Sequence, residues 1–273
     1  YKLVCPSYAC LYNEKPCERC IGHSKMSVLK TRCMKGSFAA SAMAYIEARK
    51  WNRYVLDRYA DAFICPSQFM ASKMRKDGFD PEKIHGVCNH IDPVKQELFN
   101  SLNANREDYY VYVGRLSTEK GVETLVETAS KLPYSLKIVG DGPLRIQLEK
   151  QYACNSNVEF LGHQDAQQVA TLLSKARFSV MPSECYDNNP LGVIESLCAG
   201  TPVVGARIGG IPELLDENNG IKFTSGKRDE LTQAIEQAFH FEWDNKSIKE
   251  KSLRLFSSQE HLDKILRLYG CDD

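Results

Sequence analysis

Two short segments of the sequence combine turn residues with charged side chains that could bind an anion and a diol. The first, Gly114 to Gly121, follows an apolar run and carries Arg115 and Lys120 before a predicted helix. Two cations beside a helix N-terminus favour binding of phosphate oxygens. A glycine turn with a solvated lysine is also common, so this segment alone leaves both interpretations open.

The second segment, Pro182 to Glu195, also follows an apolar run. Pro190 suits the first position of a helix, because its missing N–H is not needed there. Leu191 and Gly192 would then offer free backbone amides. Glu195 lies about one turn further, in an otherwise uncharged helix, where an unpaired buried carboxylate is costly. Its partner is expected to be either a nearby Arg or Lys or the hydroxyl pair of a ribose.

These segments belong to an alternation of apolar strands and amphipathic helices, which is typical of βαβ units and a parallel sheet. The predicted strands are 109–113, 135–139, 158–161, 178–181, 202–205 and 221–223. The predicted helices are 120–131, 143–153, 165–175, 191–199, 212–216 and 227–240. We therefore expect residues 106–245 to form a doubly wound α/β domain that binds its ligand beyond the carboxyl ends of the strands.

The flanking regions are expected to belong to a second α/β domain. Residues 1–105 are interpreted as its C-terminal part and 246–273 as a helix that crosses back to it. The predicted elements are a strand at 1–5, one helix at 37–59, a strand at 62–65, a helix from a Ser67 cap to Lys76 with Gly78 as its stop, a strand at 84–88, a linker at 93–107 and a helix at 246–269. Phe38, Ala42, Ile46 and Leu56 are expected to share one side of the 37–59 helix.

Composition narrows the function classes. The 273 residues carry 35 Lys and Arg against 35 Asp and Glu, so a nucleic-acid partner bound through bulk charge is not expected. The sequence has no apolar run near the length of a membrane span and opens with no export signal. With eleven scattered cysteines, this favours the reducing cytoplasm. Because the chain starts at Tyr1 inside a predicted strand, we expect that it is a fragment with something missing upstream.

The order and spacing of several motifs resemble family 4 glycosyltransferases. They are Gly114-Arg115-Leu116-Ser117 with Glu119-Lys120-Gly121, Val139-Gly140-Asp141-Gly142-Pro143, Phe160-Leu161-Gly162, Pro182-Ser183 with Tyr186-Asp187-Asn188-Asn189-Pro190 and Glu195, Gly200-Thr201-Pro202-Val203-Val204, and Gly209-Gly210-Ile211-Pro212-Glu213. The resemblance implies an α/β GT-B fold, in which two Rossmann-like domains with parallel sheets flank the active site, here with the N-terminal one incomplete. It also implies transfer of a sugar from a nucleotide donor with retention of configuration.

The same resemblance implies roles for individual residues. Arg115 and Lys120 would bind the donor diphosphate, stabilise it as leaving group and replace a catalytic metal, so no cofactor is expected for the reaction. Glu195 would hold the ribose. Asp187 stands where the family has a glutamate that touches the donor sugar and is one methylene shorter. The remaining donor-binding positions are expected to be Gly114, Asn189, Pro190, Leu191 and Gly192.

Three functions are considered. The first is a retaining, metal-independent glycosyltransferase that uses a UDP- or GDP-sugar and a glycan or lipid-linked acceptor, in surface-polysaccharide assembly. The second is another GT-B-like activity such as a nucleotide-sugar epimerase. The third is a nucleotide-sugar-binding module without turnover, since the acceptor residues of the family would precede Tyr1. A nicotinamide-dependent dehydrogenase is disfavoured, because no Gly-x-Gly-x-x-Gly follows a strand.

Two further segments carry weaker signals. Cys5, Cys17, Cys20 and Cys33 have spacing compatible with a four-thiolate structural zinc site, with His23 as a substitute ligand, or they are ordinary reduced cysteines. Residues 25–58 carry eight basic and two acidic side chains, with Tyr45, Trp51 and Tyr54 among them. This segment is interpreted as a solvated helix face or as a patch for an anionic membrane surface. His163 is expected either near the nucleobase or in an ordinary turn.

Overall fold

The computed structural model describes residues 1–102 and 105–270. The first 36 residues consist mostly of turns. The elements in this segment are the antiparallel strands β1 (Leu11–Tyr12) and β2 (Lys15–Pro16) and the helix α1 (Ser27–Thr31). The strand predicted at 1–5 is wrong: the amides of Val4 and Cys5 both donate to the carbonyl of Tyr1, which closes a turn.

The long helix predicted at 37–59 is two helices, α2 (Phe38–Lys50) and α3 (Arg53–Tyr59). The break arises at Asn52, whose side chain accepts from the amides of Tyr54 and Val55 and so begins a new helix. The predicted apolar side does not pack as a core, because Phe38 is 60% and Ile46 65% exposed.

Two short parallel strands follow, β3 (Phe63–Cys65) and β4 (Ile84–Gly86), joined by helix α4 (Gln68–Asp77). The predicted ends of α4 are confirmed within one residue. The Ser67 hydroxyl accepts from the Met70 amide, and Gly78 is left-handed at φ +89°.

The linker predicted at 93–107 is largely helical. Helix α5 (Pro93–Ser101) begins with Asp92 as its cap, which accepts from the amides of Val94 and Lys95, and with Pro93 at its first position. Asp-Pro is a recognised helix start, so the sequence held the signal for this element. Residues 103 and 104 of the predicted linker lie outside the described residues.

The predicted parallel sheet is confirmed and has six strands. They are β5 (Tyr109–Val113), β6 (Ser135–Val139), β7 (Val158–Gly162), β8 (Ser179–Met181), β9 (Val203–Ala206) and β10 (Gly220–Phe223). Their order across the sheet is β10-β9-β8-β5-β6-β7, with every pair parallel. The chain therefore moves outward from β5 in one direction, then returns to the other side of β5 at β8.

Helices cover both faces of this sheet. They are α6 (Val122–Ala129), α7 (Arg145–Gln151), α8 (Ala166–Lys175), α9 (Leu191–Cys198) and α10 (Arg228–His240). Alternate residues of β5 enter opposite cores: Tyr110 and Tyr112 join one cluster, whereas Tyr109 and Val111 join the other. A strand buried on both faces explains the uninterrupted apolar run at 109–113.

The helix predicted at 246–269 is also interrupted. Helix α11 (Asn245–Leu255) ends at the buried Phe256, and Ser257 caps helix α12 (Ser258–Leu268) by accepting from Glu260 N. The Phe256 carbonyl accepts from Ile91 N at 2.8 Å, which ties this region to the segment after β4. In the part of the chain that the structure describes, no helix has both the length and the apolar character needed to cross a membrane.

Candidate functional site

The two segments with candidate ligand-binding chemistry, 114–121 and 182–195, meet at the carboxyl ends of two central strands of the six-stranded sheet. Strands β5 and β8 are neighbours, and the chain leaves them in opposite directions across the sheet. Ligands of open α/β sheets bind at such switch points. The contact between the segments is direct, since Lys120 Nζ lies 2.5 Å from Asp187 Oδ1. The sequence prediction that 114–121 and 182–195 act together is thus consistent with their geometry.

The surroundings of Lys120 favour its charged form. Burial disfavours the Lys120 ammonium, but the charge of Asp187 and the hydrogen bond to it outweigh burial, so the pKa of Lys120 is raised. The second carboxylate oxygen of Asp187 accepts from the Ser183 hydroxyl. Both oxygens of Asp187 are therefore engaged, and the pair is a fixed arrangement of one cation and one anion.

The backbone of Asp187 is held by the two glycines 209 and 210. The amide of Gly210 donates to the Asp187 carbonyl at 2.7 Å. Gly209 has φ +61°, and a Cβ atom there would lie 2.2 Å from the same carbonyl oxygen. Only glycine meets both conditions, which gives the Gly-Gly-Ile-Pro-Glu motif a packing reason.

Arg115 differs from Lys120 in its surroundings. It follows Gly114, whose amide donates to Val139 O at 3.0 Å and so fixes the turn against β6. The Arg115 side chain is exposed and, among the described residues, forms no ion pair. A guanidinium in this position remains available to an anion that enters at the switch point.

Glu195 has the protein partner that the sequence left open. Its Oε1 lies 2.6 Å from Lys95 Nζ of helix α5, and its side chain is 14% exposed. Sequence analysis missed Lys95, because α5 was predicted to be a linker. Only one oxygen of Glu195 is used in this ion pair, so the other retains its capacity to accept a hydrogen bond.

Helix α9 begins one residue after Pro190, which was expected to be its first residue. Pro190 occupies the cap position and the helix begins at Leu191, which is 50% exposed. A Cβ atom at Gly192 would lie 3.1 Å from Met181 Cε. Gly192 thus lets the first turn of α9 pack closely on the end of β8.

Asn189 faces the N-terminal part of the chain. It is buried, its Oδ1 accepts from the Asn89 amide at 3.0 Å, and its carbonyl accepts from Asn89 Nδ2 at 3.0 Å. These bonds give Asn189 a structural partner, while its predicted contact with the donor stays a prediction.

Several other side chains join the two halves of the chain here. Glu213 accepts from the amides of Gln68 (2.7 Å) and Phe69 (2.5 Å), and the Ser67 hydroxyl donates to Asn188 Oδ1 at 2.5 Å. These contacts were not predicted, because nothing in the local sequence indicates which distant element a loop carboxylate or amide will meet.

Tyr186, next to Asp187, contacts the N-terminal segment. Its hydroxyl donates to Glu18 Oε1 at 2.9 Å. Glu18 also pairs with Lys73 and Lys76. Burial opposes the charge of Glu18, but the bonds from these lysines and Tyr186 dominate and lower its pKa to about 2.

The four cysteines with candidate metal-ligand spacing converge. Cys5, Cys17, Cys20 and Cys33 all line one cavity of about 10 Å³. Within residues 1–102 and 105–270, however, no three His, Cys, Asp or Glu side chains are arranged to hold a metal ion. The alternative ligand His23 lines a different cavity.

That other cavity, of about 680 Å³, lies in the N-terminal part of the chain and has Tyr45, Trp51 and Tyr54 in its lining. None of Arg115, Lys120, Asp187 and Glu195 lines it. We assign the chemistry to the switch point rather than to this larger space, because the charged groups converge there. His163 lies near Asp141, and its charge contributes to the low pKa of that carboxyl, which is set first by the Gly142 N–H.

Comparison with known proteins identifies the family of this chain. A family model described as "Glycosyl transferases group 1" matches residues 94–254. An uncharacterised glycosyltransferase of Methanocaldococcus jannaschii is 25% identical over 222 residues, which cover 79% of this chain and 61% of the relative. The alpha-D-kanosaminyltransferase of Streptomyces kanamyceticus is 27% identical over 69% of this chain and 53% of its own. The chain thus spans less than two thirds of these curated relatives.

Solved structures share the fold. Anabaena HepE in complex with UDP superposes with a TM-score of 0.66 at 20% identity, over 85% of this chain and 75% of that one. Sucrose-phosphate synthase of Thermosynechococcus elongatus gives a TM-score of 0.68 at 23% identity, over 91% of this chain and 65% of the other. The fold is therefore of the GT-B type, with the Rossmann-like arrangement expected for residues 106–245.

Proposed function

The chain belongs to the group 1 glycosyl transferases, and on that premise we propose that it takes part in transfer of a glycosyl group from a UDP- or GDP-sugar, with retention of configuration and without a catalytic metal. The observation that carries this proposal is the meeting of Lys120 and Asp187, 2.5 Å apart at the switch point, with the exposed Arg115 in the same loop as Lys120. The transfer step breaks the bond between the sugar and the diphosphate and needs positive charge at the departing phosphate.

Arg115 and Lys120 supply that charge in the proposed mechanism. Negative charge grows on the diphosphate as the glycosyl bond breaks, and two cations fixed before the reaction stabilise it without reorganisation. The raised pKa of Lys120 keeps its ammonium charged throughout the neutral range. The amides at the start of α9, near Leu191 and Gly192, add hydrogen-bond donors on the same side.

Asp187 and Glu195 orient the donor. Asp187 fixes Lys120 and, because each carboxylate oxygen has a second lone pair, is expected also to accept from a hydroxyl of the donor sugar. Glu195 accepts from a ribose hydroxyl with the oxygen that Lys95 leaves unused. In this arrangement Lys95 is a positioning residue that holds the carboxylate toward the donor.

We assign the acceptor side to the N-terminal part of the chain and to helices α11 and α12. The cavity of about 680 Å³ offers aromatic and basic side chains for a glycan or lipid-linked acceptor. Phe38, Met43, Ile46 and Tyr54 are exposed among the basic residues of 25–58, which suits an anionic membrane surface. A role in surface-polysaccharide assembly at the cytoplasmic face follows from these proposals.

Binding and turnover measurements test the proposal. Calorimetry should show that UDP or GDP binds and that the corresponding nucleoside binds far more weakly. NMR of the reaction with a UDP- or GDP-sugar and a lipid-linked acceptor should give a product of unchanged anomeric configuration in the presence of EDTA. An inverted product, or activity abolished by EDTA and restored by a divalent ion, would overturn the mechanism.

The same assays separate the alternatives. Donor binding without transfer or donor hydrolysis would favour a binding module. Conversion of the free donor into its epimer, with no acceptor needed, would favour an epimerase.

A further inference from the structure

The structure holds a second candidate site, far in sequence from the donor residues. Of the ten cysteines among the described residues, four line one small cavity: Cys5, Cys17, Cys20 and Cys33. Cys5 follows the first turn, Cys17 and Cys20 lie in the stretch after β2, and Cys33 lies in the turn after α1. Cys10, in the same segment, does not line the cavity. Its side chain nevertheless hydrogen-bonds to that of Cys5, so the fold brings Cys10 close to this set as well.

The size and chemistry of this cavity suit one ion. A volume of about 10 Å³ corresponds to a single water-sized particle. Four thiolates around a single ion are a tetrahedral sulfur set, which is typical of structural zinc. A multi-iron cluster needs more room than this.

We propose that Cys5, Cys17, Cys20 and Cys33 bind one structural Zn²⁺ ion, which holds the N-terminal segment against the loop that carries Tyr186 and Asp187. In the structure two of these thiols are turned to neighbouring hydroxyls that also line the cavity. Cys5 Sγ lies 3.2 Å from Ser7 Oγ, and Cys33 Sγ lies 2.7 Å from Thr31 Oγ1. Among the described residues no three such side chains are arranged around a metal, so the proposal requires these thiols to turn from the hydroxyls to another staggered position.

Positive charge is already present near the thiols. A Zn²⁺ ion with four thiolates has a net charge of −2. Arg19 lines the cavity, and Lys25 Nζ donates to the carbonyls of Cys20 and Val4 at 2.7 and 2.9 Å. Lys25 also forms an ion pair with Asp77 at 2.7 Å, so Arg19 is the cation beside the cavity that would offset part of this charge.

The backbone of the segment gives an independent reason for a metal. Among the described residues, all non-glycine residues with positive φ lie between positions 8 and 35; they are Tyr8, Cys10, Asn13, Glu14, Arg32 and Lys35. Such conformations persist only where the surroundings over-determine them. This segment has only two two-residue strands and a five-residue helix to do so, and a metal bound by four thiolates would supply the missing constraint.

The metal would act on the donor site through one side chain. Glu18 lies between Cys17 and Cys20, in the turn that two zinc ligands would fix, and its carboxylate accepts from the Tyr186 hydroxyl at 2.9 Å. The Tyr1 hydroxyl also donates to the Tyr186 carbonyl at 3.1 Å. The effect of the metal on donor binding rests on the proposed function.

Metal analysis of the full chain tests the proposal directly. The purified protein should contain about one zinc per chain, and titration of its thiols with a mercurial should release that zinc in step with modification of four thiols. The double variant Cys17→Ser/Cys20→Ser should lose the zinc. Cys154→Ser, which removes an exposed cysteine, should keep it.

Three results would overturn the proposal: wild-type protein purified without zinc that gains none on incubation with ZnCl₂, iron in its place, or disulfides joining the four cysteines. The wild-type measurements decide the matter even if the double variant does not fold. Because metal content is measured without a donor, a failed donor assay would count against the proposed function alone. Zinc binding with unchanged donor affinity after chelation would remove only the link through Glu18.

Discussion

Lys95 Nζ lies 2.6 Å from Glu195 Oε1, and this ion pair joins helix α5 to the first helix that follows β8. Lys95 lies outside the domain predicted at 106–245, and Glu195 is the carboxylate proposed to hold the ribose. The side chain of Lys95 is 39% exposed, whereas that of Glu195 is 14% exposed. If a ligand moves the carboxylate, water can therefore solvate the Lys95 ammonium. The less exposed Glu195 carboxylate still needs a hydrogen-bond partner from the protein or the ligand.

The first prediction concerns Glu195→Gln. The substitution turns a charge-assisted hydrogen bond to a ribose hydroxyl into a neutral one, at a cost of about 1–1.5 kcal/mol, or roughly a fivefold to tenfold loss of affinity for UDP or GDP. Calorimetry measures the affinity of the variant for UDP and GDP. Glu184→Gln is the matched control, because Glu184 accepts from Thr124 Oγ1 and has no proposed donor contact. Equal losses in both variants would contradict the ribose assignment.

The second prediction separates the two cations. Arg115→Ala and Lys120→Ala should both weaken binding of the nucleoside diphosphate far more than of the nucleoside, because the phosphates are their only proposed target. Their stabilities should differ. Lys120→Ala leaves the mostly buried Asp187 charge unpaired and should cost roughly 1–3 kcal/mol. Arg115→Ala should stay within about 0.5 kcal/mol of the wild type.

Urea unfolding beside calorimetry checks this pair of variants. A large loss of stability in Arg115→Ala would show that its side chain has a structural role. Equal losses of affinity for nucleoside and diphosphate would reject the phosphate assignment.

The third prediction concerns Gly209→Ala. This glycine has φ +61°, and an added Cβ would lie 2.2 Å from Asp187 O, so the backbone of the donor loop must shift. Gly226→Ala is the control: φ is +72°, but the nearest atom would be Glu184 Cδ at 3.8 Å. We expect about 1–2 kcal/mol of destabilisation in the control from the left-handed backbone alone, a larger loss in Gly209→Ala, and weaker nucleotide binding only in Gly209→Ala. Unfolding curves of equal midpoint would contradict the close packing.

The fourth prediction concerns acid stability. The folded-state pKa of Glu18 is about 2, below its ordinary value of 4.5. A lowered carboxyl pKa stabilises the fold above pH 4.5, and this stabilisation is lost as the pH falls from about 4.5 toward 2. Glu18→Gln should therefore lower Tm at pH 7, and the difference from wild type should shrink below about pH 4.5. A difference that does not depend on pH would mean that Glu18 is not ionised in the fold.

The sheet domain was predictable because its strands are buried on both faces. Strands 109–113 and 135–139 were predicted to the residue, since apolar runs bounded by turn residues leave few alternatives. Residues 114–121 and 182–195 were expected at the carboxyl ends of the strands, but the adjacency of β5 and β8 was not predicted and comes from the structure.

The wrong boundaries share one cause. Asn52, Asp92 and Ser257 each begin a helix by accepting backbone N–H bonds, and each lies where the sequence was read as a continuous helix or as a linker. A single capping side chain contributes about 1 kcal/mol. It does not change the hydrophobic periodicity from which the helices were predicted. The partners of Glu195, Glu213 and Glu18 were beyond prediction for another reason, since they depend on how distant segments pack.

The order of the strands has a consequence for how binding and folding are linked. The loops that carry Lys120 and Asp187 follow β5 and β8, which are adjacent in space but separated in the chain by β6, β7 and the helices between them. A ligand that bridges both loops binds only when all of this intervening chain is folded, so its binding free energy is added to the stability of the whole sheet. Bound nucleotide should therefore slow the exchange of backbone amide hydrogens in β6 and β7 as well, although the ligand does not contact these strands.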